Sequence, residues 1–281
     1  MKALSIIYNG EIISSSTPVL SADNRAFRFG DGLFESMKCS NGKILFYKKH
    51  LERIHAGLNL LKIKAPAIIV RRELEEVSSL LCRKNNIEHA KIRLQIYRGD
   101  GGIYTPDKND SAYVLDCGPL ESRNFGLNKR GLELGIFKDI PKPMNRLSNF
   151  KTCNSLVSVL ASVYSKEKGL DDSLLMNRDG NYIESSNSNL FVIINDKILT
   201  PPLTDGCVDG IMRNTVIQLL SKNKIPCSET SISKEMLLKA DEIFLTNAVR
   251  GIRWVKSLGK KTYKKNTSVK LTIELNKLIE L

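Results

Sequence analysis

The sequence predicts an α+β fold in two halves, and three observations predict it. Asn-Gly turns between short apolar runs mark tight hairpins near the N-terminus. Apolar residues at helical spacing follow them. After a polar, unpatterned stretch at 119–130, strand and helix patterns alternate to about residue 245. We therefore expect a small N-terminal domain over 1–118, a linker over 119–130 and a larger domain over 131–281. The two halves are expected to meet at a cleft, a common place for ligands.

Taken in order, residues 6–8 and 11–13 flank Asn9-Gly10, and residues 34–39 and 43–47 flank Asn41-Gly42. A helix over 50–61 places Leu51, Ile54, Leu58 and Leu61 on one face, and one over 73–81 does so with Leu74, Val77 and Leu81. Residues 90–98 alternate as a strand, with Lys91, Arg93, Gln95 and Tyr97 on one side and Ile92, Leu94 and Ile96 on the other. Gly99-Asp100-Gly101-Gly102 ends it, and 113–117 is another strand. Residues 132–137 read as a strand, after which Pro141 and Pro143 break the chain. Leu156, Leu160 and Val163 mark a helix. Strands are expected over 172–176, 182–184 and 190–194, with a turn at 178–181. Helices follow over 212–220 and 234–238, and a strand over 242–245. The lysine-rich tail from Lys256 onward shows no further pattern.

Composition narrows the function. The chain has 281 residues, 42% of them hydrophobic, and no window approaches a membrane span. Met1-Lys2-Ala3-Leu4-Ser5 lacks the apolar core and cleavage site of a signal peptide, so a cytoplasmic protein is expected. Six cysteines show no metal-ligand spacing and read as free thiols. Three histidines make a histidine-rich metal site an unpromising reading, and no metal is expected. The net charge is +13, but much of it sits in the C-terminal lysines and no nucleic-acid motif accompanies it. We read it as a solvated surface, with neither nucleic acid nor membrane as partner.

The chemistry concentrates between 149 and 213. Lys151 stands in Asn149-Phe150-Lys151-Thr152-Cys153-Asn154, before an apolar helix. Phe150 and Leu156-Val157 imply partial burial, and a desolvated lysine sheds its proton more readily. Glu184 follows, leading Ser185-Ser186-Asn187-Ser188-Asn189-Leu190-Phe191. Then Gly210-Ile211-Met212-Arg213 opens a helix. An amine, an acid and a helix N-terminus are what pyridoxal 5'-phosphate requires. The amine forms a Schiff base, the acid keeps the pyridine nitrogen protonated, and the helix end offers N–H groups to the phosphate.

In this order and spacing the chain resembles the fold-type IV pyridoxal-phosphate enzymes, which include branched-chain aminotransferases, D-amino-acid aminotransferases and aminodeoxychorismate lyases. The resemblance spans about residues 5–257. It implies a small N-terminal α/β domain, a larger domain with a mixed, barrel-like sheet, and a homodimer. It implies Lys151 as the catalytic residue. It implies cofactor contacts from Arg53 in His50-Leu51-Glu52-Arg53, from Glu184 and Asn189, from Gly210, Ile211 and Met212, and from Thr246 and Asn247. A Phe29-Gly30-Asp31-Gly32 turn enters the substrate side, where Phe34, Lys38, Arg93 and Tyr97 are expected to face the substrate.

Gly210-Ile211-Met212-Arg213, Asn247-Ala248 and Asn154 look like the lyases, whereas branched-chain aminotransferases usually read Gly-Ile-Thr-Arg and Gly-Thr-Ala. The lyase reaction turns 4-amino-4-deoxychorismate into 4-aminobenzoate and pyruvate, a step in folate biosynthesis. One departure stands out. Some lyases continue the Gly-rich turn with Arg-Gly-Tyr, and this chain has Ile103-Tyr104. The substrate carboxylates must then meet another cation, such as Arg93, Lys38 or a residue of a partner subunit. The alternative reading is a class IV aminotransferase acting on branched-chain or D-amino acids.

Overall fold

A computed structural model describes residues 4–280. Met1–Ala3, read above for a signal peptide, lie outside the described residues. The chain divides into two compact units. One reaches to Arg123 and includes Phe150–Asn154; the other is Asn124–Asn149 and the chain from Ser155 onward.

The first unit starts with the hairpin of β1 (Ser5–Tyr8) and β2 (Glu11–Ser14). Helix α1 (Arg25–Phe29) is capped by the Asn24 side chain and closed by Gly30 at φ 64°, a conformation that glycine reaches without a Cβ clash. Then come β3 (Gly32–Ser40), β4 (Lys43–Ile44), α2 (Tyr47–Leu61), α3 (Ala67–Val70), α4 (Leu74–Lys84), β5 (His89–Arg98) and β6 (Ser111–Pro119). The six strands form an antiparallel sheet in the order β2-β1-β6-β5-β3-β4. Its apolar face carries Leu33, Met37, Ile92, Leu94, Ile96 and Leu115, which pack with Ile54 and Leu58 of α2 and Leu74 and Leu81 of α4. Two expectations shift. The strand expected over 43–47 ends at Ile44, because Phe46 turns into the left-handed region at φ 58° and starts α2. On α2 the buried residues include His50 and Gly57 besides Ile54 and Leu58, while Leu51 and Leu61 are only partly covered.

The lysine segment was expected in the second domain. Its backbone bonds attach it to the first unit. Phe34 N–H donates to the Lys151 carbonyl (2.8 Å), Cys153 N–H donates to the Gly32 carbonyl (2.9 Å), and Leu33 and Thr152 form an antiparallel bridge. Residues 151–153 thus line the start of β3, on the edge that β5 leaves open.

The second unit contains β7 (Leu132–Lys142), α5 (Leu156–Glu167), β8 (Asp172–Asn177), β9 (Tyr182–Ser185), β10 (Asn189–Ile194), β11 (Lys197–Thr200), α6 (Ile211–Lys222) and β12 (Cys227–Glu229). It continues with α7 (Lys234–Lys239), β13 (Glu242–Asn247), β14 (Gly251–Leu258), β15 (Lys261–Thr262) and α8 (Asn266–Glu280). The path β10-β13-β14-β7-β8-β9 returns to β10 through the pair Glu184–Asn189, so six strands close a barrel. It is mixed, because β14–β7 and β7–β8 are parallel and the other pairs antiparallel. All six strands contribute to one apolar cluster that includes Leu134, Leu174, Tyr182, Leu190, Leu245 and Val255.

Three expectations change here. Strand β7 does not stop before Pro141 but reaches Lys142; an irregularity in its register between Phe137 and Lys142 accommodates the proline. On α5, Leu156, Val159, Leu160 and Val163 are exposed by 74%, 49%, 41% and 46%, while Ala161 and Ser165 are buried. The basic tail is structured: Leu271, Leu275 and Ile279 of α8 are buried, and the Glu242 carboxylate accepts the N–H groups of Thr267 and Ser268 at its start. Among the described residues no helix is long and apolar enough to cross a membrane.

Candidate active site

In the first unit the sheet face opposite the apolar core is polar. Register places Phe34, Ser36 and Lys38 of β3 beside Gln95, Arg93 and Lys91 of β5, with Gly32 beside Tyr97. Phe34, Lys38, Arg93 and Tyr97, the four expected substrate residues, therefore share one face. The Arg93 guanidinium lies 4.1 Å from the Phe34 ring centroid, and the Lys151 Nζ lies 4.8 Å from it. Both are within cation–π range, so the ring fixes two cations near one another. Arg93 Nη2 also donates to Gln95 Oε1 (3.0 Å). Burial lowers the pKa of the Lys38 ammonium. Burial raises the Asp116 carboxyl on the same face, although Arg93 and Lys91 pull it down. The Tyr97 hydroxyl is buried without a hydrogen-bond partner among the described residues. Burial, followed by the neighbouring Tyr8 phenol, pushes its pKa up.

Glu35 points the other way, into the core, where α2 supplies partners. Arg53 donates from Nε to Oε1 (2.7 Å) and from Nη2 to Oε2 (2.8 Å). His50 Nδ1 lies 2.8 Å from Oε2 and must donate, since a carboxylate only accepts. Burial alone would raise the Glu35 carboxyl, but the Arg53 charge and the His50 bond outweigh it and hold it at about 2.

The second unit carries the other groups expected around the ring and phosphate, while Arg53 and Lys151 belong to the first unit. Gly210 caps α6 with extended backbone and no side-chain hydrogen bond, so the first-turn N–H groups have no side-chain cap. A Cβ at position 210 would come within 1.9 Å of Asn189 Oδ1, so only glycine fits. Asn189 Nδ2 in turn donates to the Val208 carbonyl (2.8 Å) and secures the approach to α6. Thr246 pairs in register with Asn189, and its hydroxyl is buried with no partner among the described residues. Ile211 and Met212 bury their side chains, so only their backbone can serve a ligand. Asn247 uses its side chain locally: it donates to Ser188 Oγ (2.9 Å) and accepts the N–H groups of Val249 and Arg250. Glu184 accepts the Val208 N–H at Oε2 (2.8 Å) and pairs with the Lys142 ammonium through Oε1. An orphaned hydroxyl, an uncapped helix start and a buried carboxylate fit a phosphorylated pyridine.

Several contributors escaped the sequence reading. Lys142 lies between two prolines with no pattern to mark it. Glu35 stood inside a recognised segment, but nothing in the sequence named the partners it meets in the core. Asn149 donates to the carbonyls of Leu203 (2.9 Å) and Cys207 (2.8 Å), and its own carbonyl accepts the Asp209 N–H (2.9 Å). It thereby holds the loop that leads into Gly210. Arg25 and Arg98 both bond Asp31, at 2.9 and 2.8 Å, and fix the turn before β3.

Comparison with known proteins fits this arrangement. The family model described as Amino-transferase class IV matches residues 32–258. The aminodeoxychorismate lyase of Vibrio harveyi is 28% identical over 231 residues, covering 82% of this chain and 83% of its own length. The branched-chain-amino-acid aminotransferase of Escherichia coli is 26% identical over 269 residues, covering 92% and 85%. The crystal structure of 4-amino-4-deoxychorismate lyase from Pseudomonas aeruginosa superimposes with a TM-score of 0.85 at 24% identity, over 98% of this chain and 100% of that one.

Proposed function

The chain belongs to the class IV amino-transferase family, whose cofactor is pyridoxal phosphate, and on that premise we propose that it is an aminodeoxychorismate lyase. It would convert 4-amino-4-deoxychorismate to 4-aminobenzoate and pyruvate. The observation that carries this reading is the cationic substrate face of the first unit. Phe34 offers an apolar ring surface with the Arg93 guanidinium against it, and Lys38 and Lys91 follow further along the same face. A substrate with two carboxylates suits such a face. A leucine or valine side chain brings such a face no charge to meet.

In this reading Lys151 is the attachment point for the cofactor, Glu184 holds the pyridine nitrogen, and Arg53, Thr246 and the backbone of Gly210–Met212 hold the phosphate. Bound pyridoxal phosphate supplies an electron sink. Lys151, as a free amine, takes the proton from the ring carbon that bears the amino group. The enolpyruvyl group leaves with its oxygen, and the proton ends on the methyl carbon of pyruvate. The ring becomes aromatic, and no 2-oxo acid is consumed. Arg93 anchors a carboxylate, the task that Ile103 cannot perform.

The test is product identification. The purified protein is incubated with 4-amino-4-deoxychorismate, and separately with leucine, valine or D-alanine plus 2-oxoglutarate. We expect 4-aminobenzoate in the first case and little glutamate in the others. Rapid glutamate formation without any 4-aminobenzoate would establish the aminotransferase alternative. In the same assay Arg93→Leu should raise KM roughly tenfold or more, the scale of one charge-assisted contact, while the yellow cofactor stays bound. A normal KM would place the anchor elsewhere.

A homodimer is also proposed. The exposed row Leu156, Val159, Leu160 and Val163 on α5 supports it, because such apolar surface is costly to leave in water. Light scattering that reports a monomer at micromolar concentration would remove this part.

A further inference from the structure

We propose that Glu35 is the positioning residue of Arg53. It fixes the guanidinium so that its charge serves the cofactor phosphate, and His50 fixes Glu35 in turn. The inference rests on the reading of Arg53 as a phosphate contact.

Glu35 is out of place by the logic of its strand. Its neighbours on that face, Leu33 and Met37, belong to the apolar core, and Glu35 itself is 2% exposed. An ionised carboxylate is not kept in a core for packing, since an apolar group of similar shape serves stability as well or better. The geometry shows what it does hold. His50 and Arg53 lie three residues apart on α2, so they project from one helix face. Arg53 meets the carboxylate side-on, Nε on one oxygen and Nη2 on the other, at 2.7 and 2.8 Å. This two-point grip sets both the plane and the direction of the guanidinium, which a single bond would not do. The fork uses two of the five N–H donors, on one edge. His50, fully buried, donates to Oε2 at 2.8 Å and removes the remaining freedom of the carboxylate. The arginine side chain is 8% exposed, so it has little room to adopt another rotamer.

Two ligands separate positioning from mere packing: pyridoxal phosphate and pyridoxal, which share the ring and aldehyde and differ in the phosphate. Dissociation constants of both are measured by dialysis for the parent, Glu35→Gln, Glu35→Asp, Arg53→Ala and the Arg53→Ala/Glu35→Gln pair. We expect Glu35→Gln to weaken pyridoxal phosphate about tenfold and pyridoxal less than about twofold, the scale of one charge-assisted contact. Glu35→Asp keeps the charge but shortens the arm. It should shift the ratio in the same direction, and it serves should the Gln variant fold poorly. In the Arg53→Ala background Glu35→Gln should leave the ratio unchanged. An unchanged ratio in both single Glu35 variants overturns the proposal. So does equal weakening of the two ligands, or a further change of ratio without Arg53. If Arg53→Ala itself keeps the parental ratio, the phosphate reading of Arg53 falls first, and that result is separable from the others.

Discussion

Replacing Lys151 with alanine is expected to abolish turnover, by roughly four orders of magnitude or more, while the protein stays folded. Two losses combine. The covalent attachment point disappears, and with it the amine that moves the substrate proton; positioned proton transfer alone is worth about 10²–10⁴-fold. The fold should tolerate the change because the anchors of this segment are main-chain bonds, Phe34 N–H to the Lys151 carbonyl and Cys153 N–H to Gly32. Borohydride reduction gives the complementary readout. In the parent it should fix the cofactor on the peptide that contains Lys151, and in the variant it should fix none. Labelling of another lysine, or a variant within about tenfold of parental kcat, would reassign the catalytic amine.

Much of this was legible because the signals were local. Asn9-Gly10 and Asn41-Gly42 take positive φ at all four residues, as two-residue hairpins require. The alternation over 90–98 became β5, with its apolar side in the core and Arg93, Gln95 and Tyr97 on the polar face. The Gly210 helix start and the Glu184–Asn189 run came out as neighbours: Glu184 and Asn189 pair where the barrel closes, and both bond the Val208 backbone that leads into Gly210. What escaped depends on partners remote in sequence. The row on α5 looks like a core stripe, yet the sheet covers the side that carries Ala161 and Ser165. The lysines after 256 mask Leu271, Leu275 and Ile279, which keep helical spacing inside a polar composition. The direction in which Glu35 points follows from the pleat of β3, but its reason lies on α2. Lys142 reaches Glu184 only because β7 runs past Pro141, which reads as a stop.

Lys142→Met is expected to cost about 3 kcal/mol of stability and to lower Tm on the order of 10 °C. The pair it breaks is buried: the side chains are 14% and 6% exposed. Methionine fills similar volume, so the cost comes from the carboxylate left behind, with the Val208 N–H and no cation in contact among the described residues. The Cys207 thiol beside Glu184 is pushed up to about 12, by burial first and then by the Glu184 charge, so it stays neutral. If this account is right, adding Glu184→Gln should restore most of the loss, because a neutral amide needs no counter-charge. Thermal unfolding of the four proteins reads both effects directly. A single variant as stable as the parent, or a double variant no better than the single one, would mean that the ammonium does not hold Glu184. The catalytic consequence runs in parallel: without the Lys142 ammonium on Oε1, Glu184 loses the contact that aims its carboxylate, so the Lys142→Met enzyme should lose activity in the direction that Glu184→Gln does.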